Sequence, residues 1–398
     1  MVVPLRRCSR PVAALLLAPL LTLAACSGGD GSASEPRRVR ATEGSASASP
    51  DASGSSPAPT GPTEGGSSAA TAQGGTAGKP EVLAAQTRLL DWQPVPGSVD
   101  DTVTRSGAWS LSVDKAGTQA RLEGPGSGTG VAAGPRERIS DALIDGEYAV
   151  VVLQDRQETR PSSAEVVDLR HGGKTFTVDG SSDVPTTNGG TWALGDGKLL
   201  HATIHQGSYC VASVDLATRK SSLGWCAAPR HGFNSAEVTP AGESLLTFDD
   251  SHPACRTVVE LTGTKATPFE GVPDCKAWDG VVTADGAVWS VIPREREVEA
   301  AHAYARSGDA YFDLGPSASG TLTWCGDAAY FSRDPQRDSE PARLMRWNAE
   351  DGLAVVYESA GGHAFLTPPR CGGDTITVTA LAQSGDEQVS APVGPTDG

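Results

Sequence analysis

From about residue 83 onward, short apolar runs alternate with polar residues and are separated by Gly, Asp and Pro. The runs at residues 148–153, 164–169 and 375–381 are typical. Short runs of this kind, bounded by turn residues, predict β-strands. The best candidate for a helix is residues 296–304, and it covers only about two turns. The pattern therefore predicts an all-β body with almost no helix.

A glycine-centred turn followed by an apolar strand recurs along this body. The turn glycines are Gly107, Gly146, Gly197, Gly242, Gly286, Gly326 and Gly372. Successive glycines are 39, 51, 45, 44, 40 and 46 residues apart. Glycine suits a tight hairpin turn because it adopts a positive φ without steric cost. The repeat therefore predicts seven units of about 45 residues each.

Several short strands per unit at this period resemble the blades of a β-propeller. The resemblance implies seven blades within residues 83–398, with six as the alternative count. A pair of β-sandwiches is the competing architecture, and the even period disfavours it. The last unit ends after its third strand, near Val389. We therefore expect the segment Arg88–Gln93 to supply the missing outer strand and close the ring.

The chain has eight cysteines, six of them in the repeat body. Six cysteines leave many pairings open in an oxidising compartment, but the blade register selects one. Two pairs flank successive outer hairpins, and the third pair occupies the same position in successive blades. The predicted disulfides are Cys210–Cys226, Cys255–Cys275 and Cys325–Cys371. No CxxC pair is present, which argues against a metal or redox site made of cysteines.

The first 26 residues carry an export signal. Arginines between residues 6 and 10 precede an apolar run at residues 12–25, which is too short to span a bilayer comfortably. The run ends in Leu23-Ala24-Ala25-Cys26, which resembles the lipobox of bacterial lipoproteins. The resemblance implies that residues 1–25 are a signal peptide and that Cys26 carries a diacylglycerol. Palmitate-type acylation would then anchor the protein to the outer face of the cell membrane.

Residues 26–82 separate this anchor from the repeat body. They are dominated by Ser, Gly, Ala, Pro and Thr and contain almost no large apolar residues. Such a segment cannot bury enough surface to offset its ordering entropy. We therefore expect a flexible tether with an r.m.s. span of roughly 40 Å.

The charge balance excludes one class of partner. The chain has 32 Lys and Arg against 48 Asp and Glu, a formal net charge of −16. Sequence-independent binding of nucleic acid needs a basic face, so we expect no nucleic-acid partner.

Two short motifs could in principle bind a metal. His201 and His205 lie on a predicted strand, where their Cα atoms would be about 13 Å apart, too far to chelate one ion. Asp249, Asp250 and His252 stand close together in a turn and offer Ca²⁺ ligands. An Asp-rich turn that satisfies local backbone amides is the favoured interpretation. We therefore predict no metal and no cofactor.

Polar residues recur where the second strand of a unit gives way to its loop. Eight residues after the turn glycine stand Gln154, His205, Asp250, Arg294 and Asp334. In a propeller these loops open on one face. We predict a ligand-binding face that includes His205, Asp250, Arg294 and Asp334, suited to a polar ligand or a peptide.

No nucleophile elbow, P-loop or dinucleotide fingerprint occurs in its structural context, so no catalytic residue is assigned. We expect a membrane-anchored extracytoplasmic lipoprotein whose propeller binds a protein, peptide or glycan, and not an enzyme. The alternative is a secreted propeller hydrolase or lyase acting on a sugar or lactone. That alternative calls for a metal or paired acids in the central channel.

Overall fold

The computed structural model describes residues 75–125 and 127–394. The signal peptide, Cys26 and the tether as far as residue 74 lie outside the described residues. Three short strands come first in the described part: β1 (Glu81–Val82), β2 (Gln86–Thr87) and β3 (Gln93–Pro94).

Seven sheets then follow one another along the chain. In the first six, strands A, B, C and D run in chain order from the centre of the ring outward. The first blade consists of β4 (Thr102–Ser106), β5 (Trp109–Val113), β6 (Gln119–Gly124) and β7 (Ser127–Ala132), and the second of β8 (Glu137–Ile144), β9 (Tyr148–Asp155), β10 (Ser163–Asp168) and β11 (Lys174–Val178). The third consists of β12 (Trp192–Gly195), β13 (Lys198–His205), β14 (Ser208–Asp215) and β15 (Lys220–Cys226). The fourth consists of β16 (His231–Thr239), β17 (Gly242–Asp249), β18 (Arg256–Thr262) and β19 (Lys265–Pro268).

The last three blades complete the ring. They are β20 (Ala277–Thr283), β21 (Gly286–Val291), β22 (His302–Ser307) and β23 (Ala310–Pro316); β24 (Thr323–Cys325), β25 (Ala328–Arg333), β26 (Arg343–Asn348) and β27 (Gly352–Glu358); and β28 (Phe365–Leu366), β29 (Arg370–Cys371), β30 (Thr375–Leu381) and β31 (Glu387–Pro392). In the seventh, β28 and β29 both pair with β30, β31 follows, and β3 is the outer strand. The predicted seven-bladed β-propeller is confirmed.

Five of the seven turn glycines lie between strands A and B of their blade, and Gly242 and Gly286 are the first residues of strands β17 and β21. Gly107, Gly197 and Gly326 adopt φ values of 53°, 69° and 60°, which is the left-handed region that glycine enters cheaply. The A–B and C–D turns therefore share one face of the ring, and the B–C and D–A loops share the other. We call these the turn face and the loop face.

The hydrophobic core lies between neighbouring blades. Strand β9 is buried along almost its whole length, as expected of a B strand covered on both sides. Its Val150 and Val152 pack in one cluster with Trp192 and Leu199 of the next blade. Burial between blades explains why period-two runs and compact apolar stretches both occur in the sequence.

The expectation of almost no helix is confirmed, and the best helix candidate, residues 296–304, is not a helix. Within the described residues the chain has one 3₁₀ turn, Val298–Ala300, and β22 begins at His302. Ala303 and Ala305 are buried at alternate positions against the neighbouring blade, so a strand period governs this segment.

An N-terminal strand closes the ring, but it is Gln93–Pro94 and not the predicted segment Arg88–Gln93. Gln93 and Pro94 of β3 pair antiparallel with Ser390 and Val389 of β31 and become the outer strand of the seventh blade. Gly372 lies at the seam with the first blade, where an added Cβ would stand 1.9 Å from the Arg105 carbonyl oxygen. This close approach allows only glycine.

Upstream of β3, the chain runs along the outside of two more blades, which differs from the expected role of residues 88–93. Strand β1 adds in parallel to β23 of the fifth blade, and β2 adds in parallel to β27 of the sixth. Trp92 donates its Nε1 hydrogen to the Val356 carbonyl at 2.8 Å and packs edge-on against Tyr357. We call residues 75–94 the N-terminal strap.

All three predicted disulfides are present. Cys210–Cys226 joins register partners of β14 and β15. Cys255–Cys275 joins the start of β18 to the connection into the fifth blade. Cys325–Cys371 joins the inner strands β24 and β29 of neighbouring blades, with Cα atoms 5.4 Å apart.

Candidate functional site

The four residues of the predicted ligand-binding face lie at the ends of B strands. His205 ends β13 and is exposed. Asp250 follows β17 and forms an ion pair with Arg230, with 2.5 Å between the Arg230 Nε and a carboxylate oxygen. Arg294 follows β21, and Asp334 follows β25, where burial raises the pKa of its carboxyl. All four are therefore on the loop face, and their role in binding stays a prediction.

The structure brings only part of this set to one cavity. A groove of about 1050 Å³ opens between the fourth and fifth blades. Three loop-face segments line it: residues 251–256, 274–277 and 292–297. Arg294 belongs to its wall, and Asp250 directly precedes it. His205 and Asp334 are not among its lining residues.

Covalent and polar contacts hold the groove walls in place. The Cys255–Cys275 disulfide joins two of the three segments. Asp249 accepts hydrogen bonds from the backbone amides of Ser251 and Cys255 at 3.2 and 2.8 Å, which holds the first loop closed. The predicted Asp-rich turn that satisfies local amides is thus what the structure shows at this position.

The groove carries more positive than negative side chains. Its lining has four bases (Arg256, Lys276, Arg294 and Arg296) and three acids (Asp274, Glu295 and Glu297). Arg256 pairs with Glu295 at 2.8 Å, and Arg294 pairs with Glu297 at 3.0 Å.

Two bases of the groove remain available. Lys276 and Arg296 are exposed and have no ion-pair partner among the described residues. In a chain with a net charge of −16 the groove is therefore a locally cationic surface.

A second cavity occupies the turn-face end of the central channel. It has a volume of about 370 Å³ and is lined by residues of six blades. Four lining residues are ionisable: Asp145, Asp196, Glu237 and Arg370. Trp192 and Trp324 contribute aromatic surface to the same wall.

Bulges in the inner strands position acidic side chains near this channel. The pairing register shifts between Ile139 and Asp141, between Asn234 and Glu237, and between Ala277 and Asp279. In each case an acidic residue directly follows the bulge. Bulges re-aim side chains at functional sites.

Two of these acids interact with each other. Burial raises the pKa of Glu237 to about 8, and the nearby Asp279 carboxyl adds to the effect. Burial also raises the pKa of Asp279 to about 6. Asp279 accepts hydrogen bonds from the Ser290 hydroxyl and from the Leu322 backbone amide. The second of these bonds connects Asp279 to the loop that leads into the sixth blade. Glu237 has no hydrogen-bond partner among the described residues.

Asp141 and Arg370 form a second, looser pair. Burial raises the pKa of the Asp141 carboxyl, and Arg370 opposes this shift. Burial lowers the pKa of the Arg370 guanidinium, and the Asp141 charge opposes it. In the described structure no carboxylate approaches Arg370 within salt-bridge distance, although its side chain remains accessible from the channel.

The two histidines considered as metal ligands are placed apart. His201 is buried, stacks on Trp192 and contacts the Ala202 carbonyl through Nδ1 at 3.0 Å. His205 is exposed at the end of the same strand. Across residues 75–125 and 127–394, no three His, Cys, Asp or Glu side chains lie close enough together to hold a metal ion.

Glu237, Asp279, Arg370 and Trp324 were not identified from the sequence as site residues. Their only signal is an acidic residue within an inner strand, or a polar residue before a cysteine. Neither pattern identifies a site residue until the positions of the blades around the channel are known. Among the described residues we also find no helix with the length and hydropathy needed to cross a membrane.

No family model matches the chain, and no curated protein matches its sequence. Solved structures do match its fold. The β-propeller domain of the trilobed protease from Pyrococcus furiosus has a TM-score of 0.51 at 8% identity, covering 75% of this chain and 98% of that chain.

Two further similar structures belong to enzymes. A prolyl endopeptidase has a TM-score of 0.49 at 15% identity, covering 74% of this chain and 48% of that chain. An oligogalacturonate lyase in complex with manganese has a TM-score of 0.40 at 8% identity, covering 75% and 77%. The chain thus spans about half of the prolyl endopeptidase. Likeness at such identities shows the propeller fold and leaves the activity open.

Proposed function

We propose that this chain is a lipid-anchored extracytoplasmic protein whose propeller binds a protein, peptide or glycan on its loop face. The observation that carries the proposal is the groove between the fourth and fifth blades. Its volume of about 1050 Å³ stands at the upper end of the range for small-molecule pockets. An open groove of this size suits an extended ligand.

The charges of the groove indicate how such a ligand is held. Arg256 and Arg294 are held by acids of the same groove, which keeps these walls ordered. Lys276 and Arg296 are left to meet acidic groups of the ligand. Binding on a rigid, disulfide-linked wall costs little ordering entropy, because the surface is preorganised.

A binding role is preferred over a hydrolase or lyase on chemical grounds. Glycoside hydrolysis commonly uses two carboxyl groups that flank the scissile bond. In the channel, Asp279 is engaged by a hydroxyl and a backbone amide, and Asp145 by two backbone amides, so neither is a free carboxyl partner for Glu237.

The test compares two charge-matched double variants of the full lipoprotein. Lys276→Ala with Arg296→Ala removes the unpaired bases of the groove. Lys220→Ala with Lys265→Ala removes two exposed bases from C–D turns on the opposite face. Each protein is assayed by cross-linking capture on intact cells and on peptide and glycan arrays.

We expect the wild type and the turn-face variant to retain the same ligand and the groove variant to lose it. Equal binding by both variants would place the ligand elsewhere. Failure of all three proteins to retain any peptide, glycan or protein would refute a binding role.

A further inference from the structure

The cavity at the turn-face end of the channel is separate from the loop-face groove and has polar groups that the fold leaves unused. Arg370 has no hydrogen-bond or ion-pair partner in the described part of the chain. The Trp324 Nε1 hydrogen is buried and has no acceptor there either. Buried donors normally have partners, so an orphaned indole N–H calls for an explanation.

The Cys325–Cys371 disulfide joins the two strands that carry these donors, and both residues line the cavity. Trp324 directly precedes Cys325 on β24, and Arg370 directly precedes Cys371 on β29. The Cα atoms of the two cysteines are 5.4 Å apart. A planar guanidinium and an indole N–H in the lining of one cavity are donors suited to a carboxylate, which accepts several hydrogen bonds.

Glu237 supplies the opposite chemistry from the other side of the channel. It lies on β16, whose residues contact β24 across the ring. Asp145, another lining acid, is already engaged by the backbone amides of Glu147 and Tyr148 at 2.8 and 2.7 Å. Glu237 is therefore a free acceptor for a ligand amine.

The charge of the whole lining selects between classes of anion. Three of its four ionisable residues are acids. A phosphate or sulfate would meet Arg370 but would find no partner in the acidic part of the wall. A ligand with one carboxylate and one ammonium matches both parts of the wall.

We propose that the channel cavity binds a small zwitterion, a free amino acid or a short peptide, through its carboxylate on Arg370 and Trp324 and its amine on Glu237. The volume of about 370 Å³ falls in the usual range for small-molecule sites. Apolar lining residues, among them Leu143, Leu194 and Val238, would cover an aliphatic side chain.

Isothermal titration calorimetry on the full protein tests this proposal with defined probes. L-leucine and glycyl-leucine carry both charges at different separations. Leucinamide lacks the carboxylate, and 4-methylpentanoate lacks the amine. We expect one of the two zwitterions to bind at least tenfold more tightly than either singly charged analogue, since a charge-assisted hydrogen bond contributes about tenfold or more. Preference between leucine and glycyl-leucine distinguishes a free amino acid from a peptide.

Three variants assign the contacts. Arg370→Gln and Glu237→Gln should each weaken the zwitterion about tenfold or more, and Trp324→Phe, which keeps the ring and removes the N–H, should weaken it several-fold. The matched controls are Arg121→Gln and Glu123→Gln, two exposed residues of β6, the third strand of the first blade. Both controls should bind as the wild type does. Unliganded melting temperatures identify any variant that fails to fold.

The number of protons taken up or released on ligand binding is a further measurement, which a change in packing alone would not alter. Glu237 carries a proton at neutral pH, because its pKa is raised to about 8. Pairing with an ammonium ionises it, so binding near pH 7 should release close to one proton, and Glu237→Gln should abolish the release. No binding of either zwitterion at millimolar concentration, or unchanged affinity in Arg370→Gln, would overturn the proposal.

Discussion

Replacing Glu237 with Gln should make the protein more stable at alkaline pH and leave its stability almost unchanged at pH 5. The folded-state pKa of this carboxyl is raised from 4.5 to about 8, first by burial and second by the Asp279 charge. Between these two values the folded protein holds a proton on Glu237 that the unfolded chain releases. The free energy of unfolding therefore falls as the pH rises from 4.5 to about 8.

The size of the effect follows from the two pKa values. At about 1.4 kcal/mol per pH unit, the difference between 4.5 and about 8 corresponds to about 5 kcal/mol above pH 8. Water in the channel solvates part of the carboxylate, because Glu237 lines the cavity. We therefore expect about half of this value, about 2–3 kcal/mol, as the gain of Glu237→Gln at pH 8.5.

Urea unfolding of the full chain under non-reducing conditions measures this at pH 5, 6.5 and 8.5. Glu123→Gln serves as the control, because Glu123 is exposed on β6, the third strand of the first blade, and the substitution should show no pH-dependent offset. An offset between Glu237→Gln and the wild type that is the same at pH 5 and pH 8.5 would refute the reasoning, since an isosteric amide would then act only through packing.

Three further predictions concern closure of the ring and the anchor. Replacing both Cys325 and Cys371 with Ser should lower the free energy of unfolding by about 4 kcal/mol in the chain-entropy model, because the disulfide joins residues 46 positions apart. The midpoint of urea unfolding measures this, and an unchanged midpoint would contradict it. Trp92→Ala should cost about 3 kcal/mol and Trp92→Phe about 1 kcal/mol, because phenylalanine keeps an aromatic ring against Tyr357 and loses the hydrogen bond to the Val356 carbonyl; no cost for Trp92→Phe would argue against that hydrogen bond. Labelling with a palmitate analogue should mark the wild type and not Cys26→Ala, and label retained in the variant would argue against the lipid anchor.

Repetition explains why the architecture could be predicted from the sequence. A single glycine turn is a weak signal, but a turn at Gly197, another 45 residues later at Gly242 and another 44 residues later at Gly286 require one structural unit to recur. Once the units are aligned, each cysteine can be assigned to a definite position within its blade. The pairing of Cys325 with Cys371 follows because both precede the same turn in neighbouring blades.

The strap and the channel depend on contacts that no local pattern encodes. Strands β1 and β2 are two residues long, and their pairing is set by where the outer strands β23 and β27 come to lie. Glu237 could not be recognised because its orientation follows from a bulge, and a bulge in one strand is defined only against its partner. The helix candidate at residues 296–304 is not a helix for a related reason, since burial against the next blade overrides a weak helical period.

Ring closure and the channel site depend on the same covalent link. The carboxylate-binding pair, Trp324 and Arg370, comes from the sixth and seventh blades, and Glu237 comes from the fourth. No blade contains the site, so it exists only while the blades are held in a closed circle. The strap reinforces the fifth, sixth and seventh blades from outside, and Cys325–Cys371 joins the last two at their inner edge. The reinforcement is thus concentrated on the arc that carries the two unpartnered donors, which is where a shift of one blade would separate them.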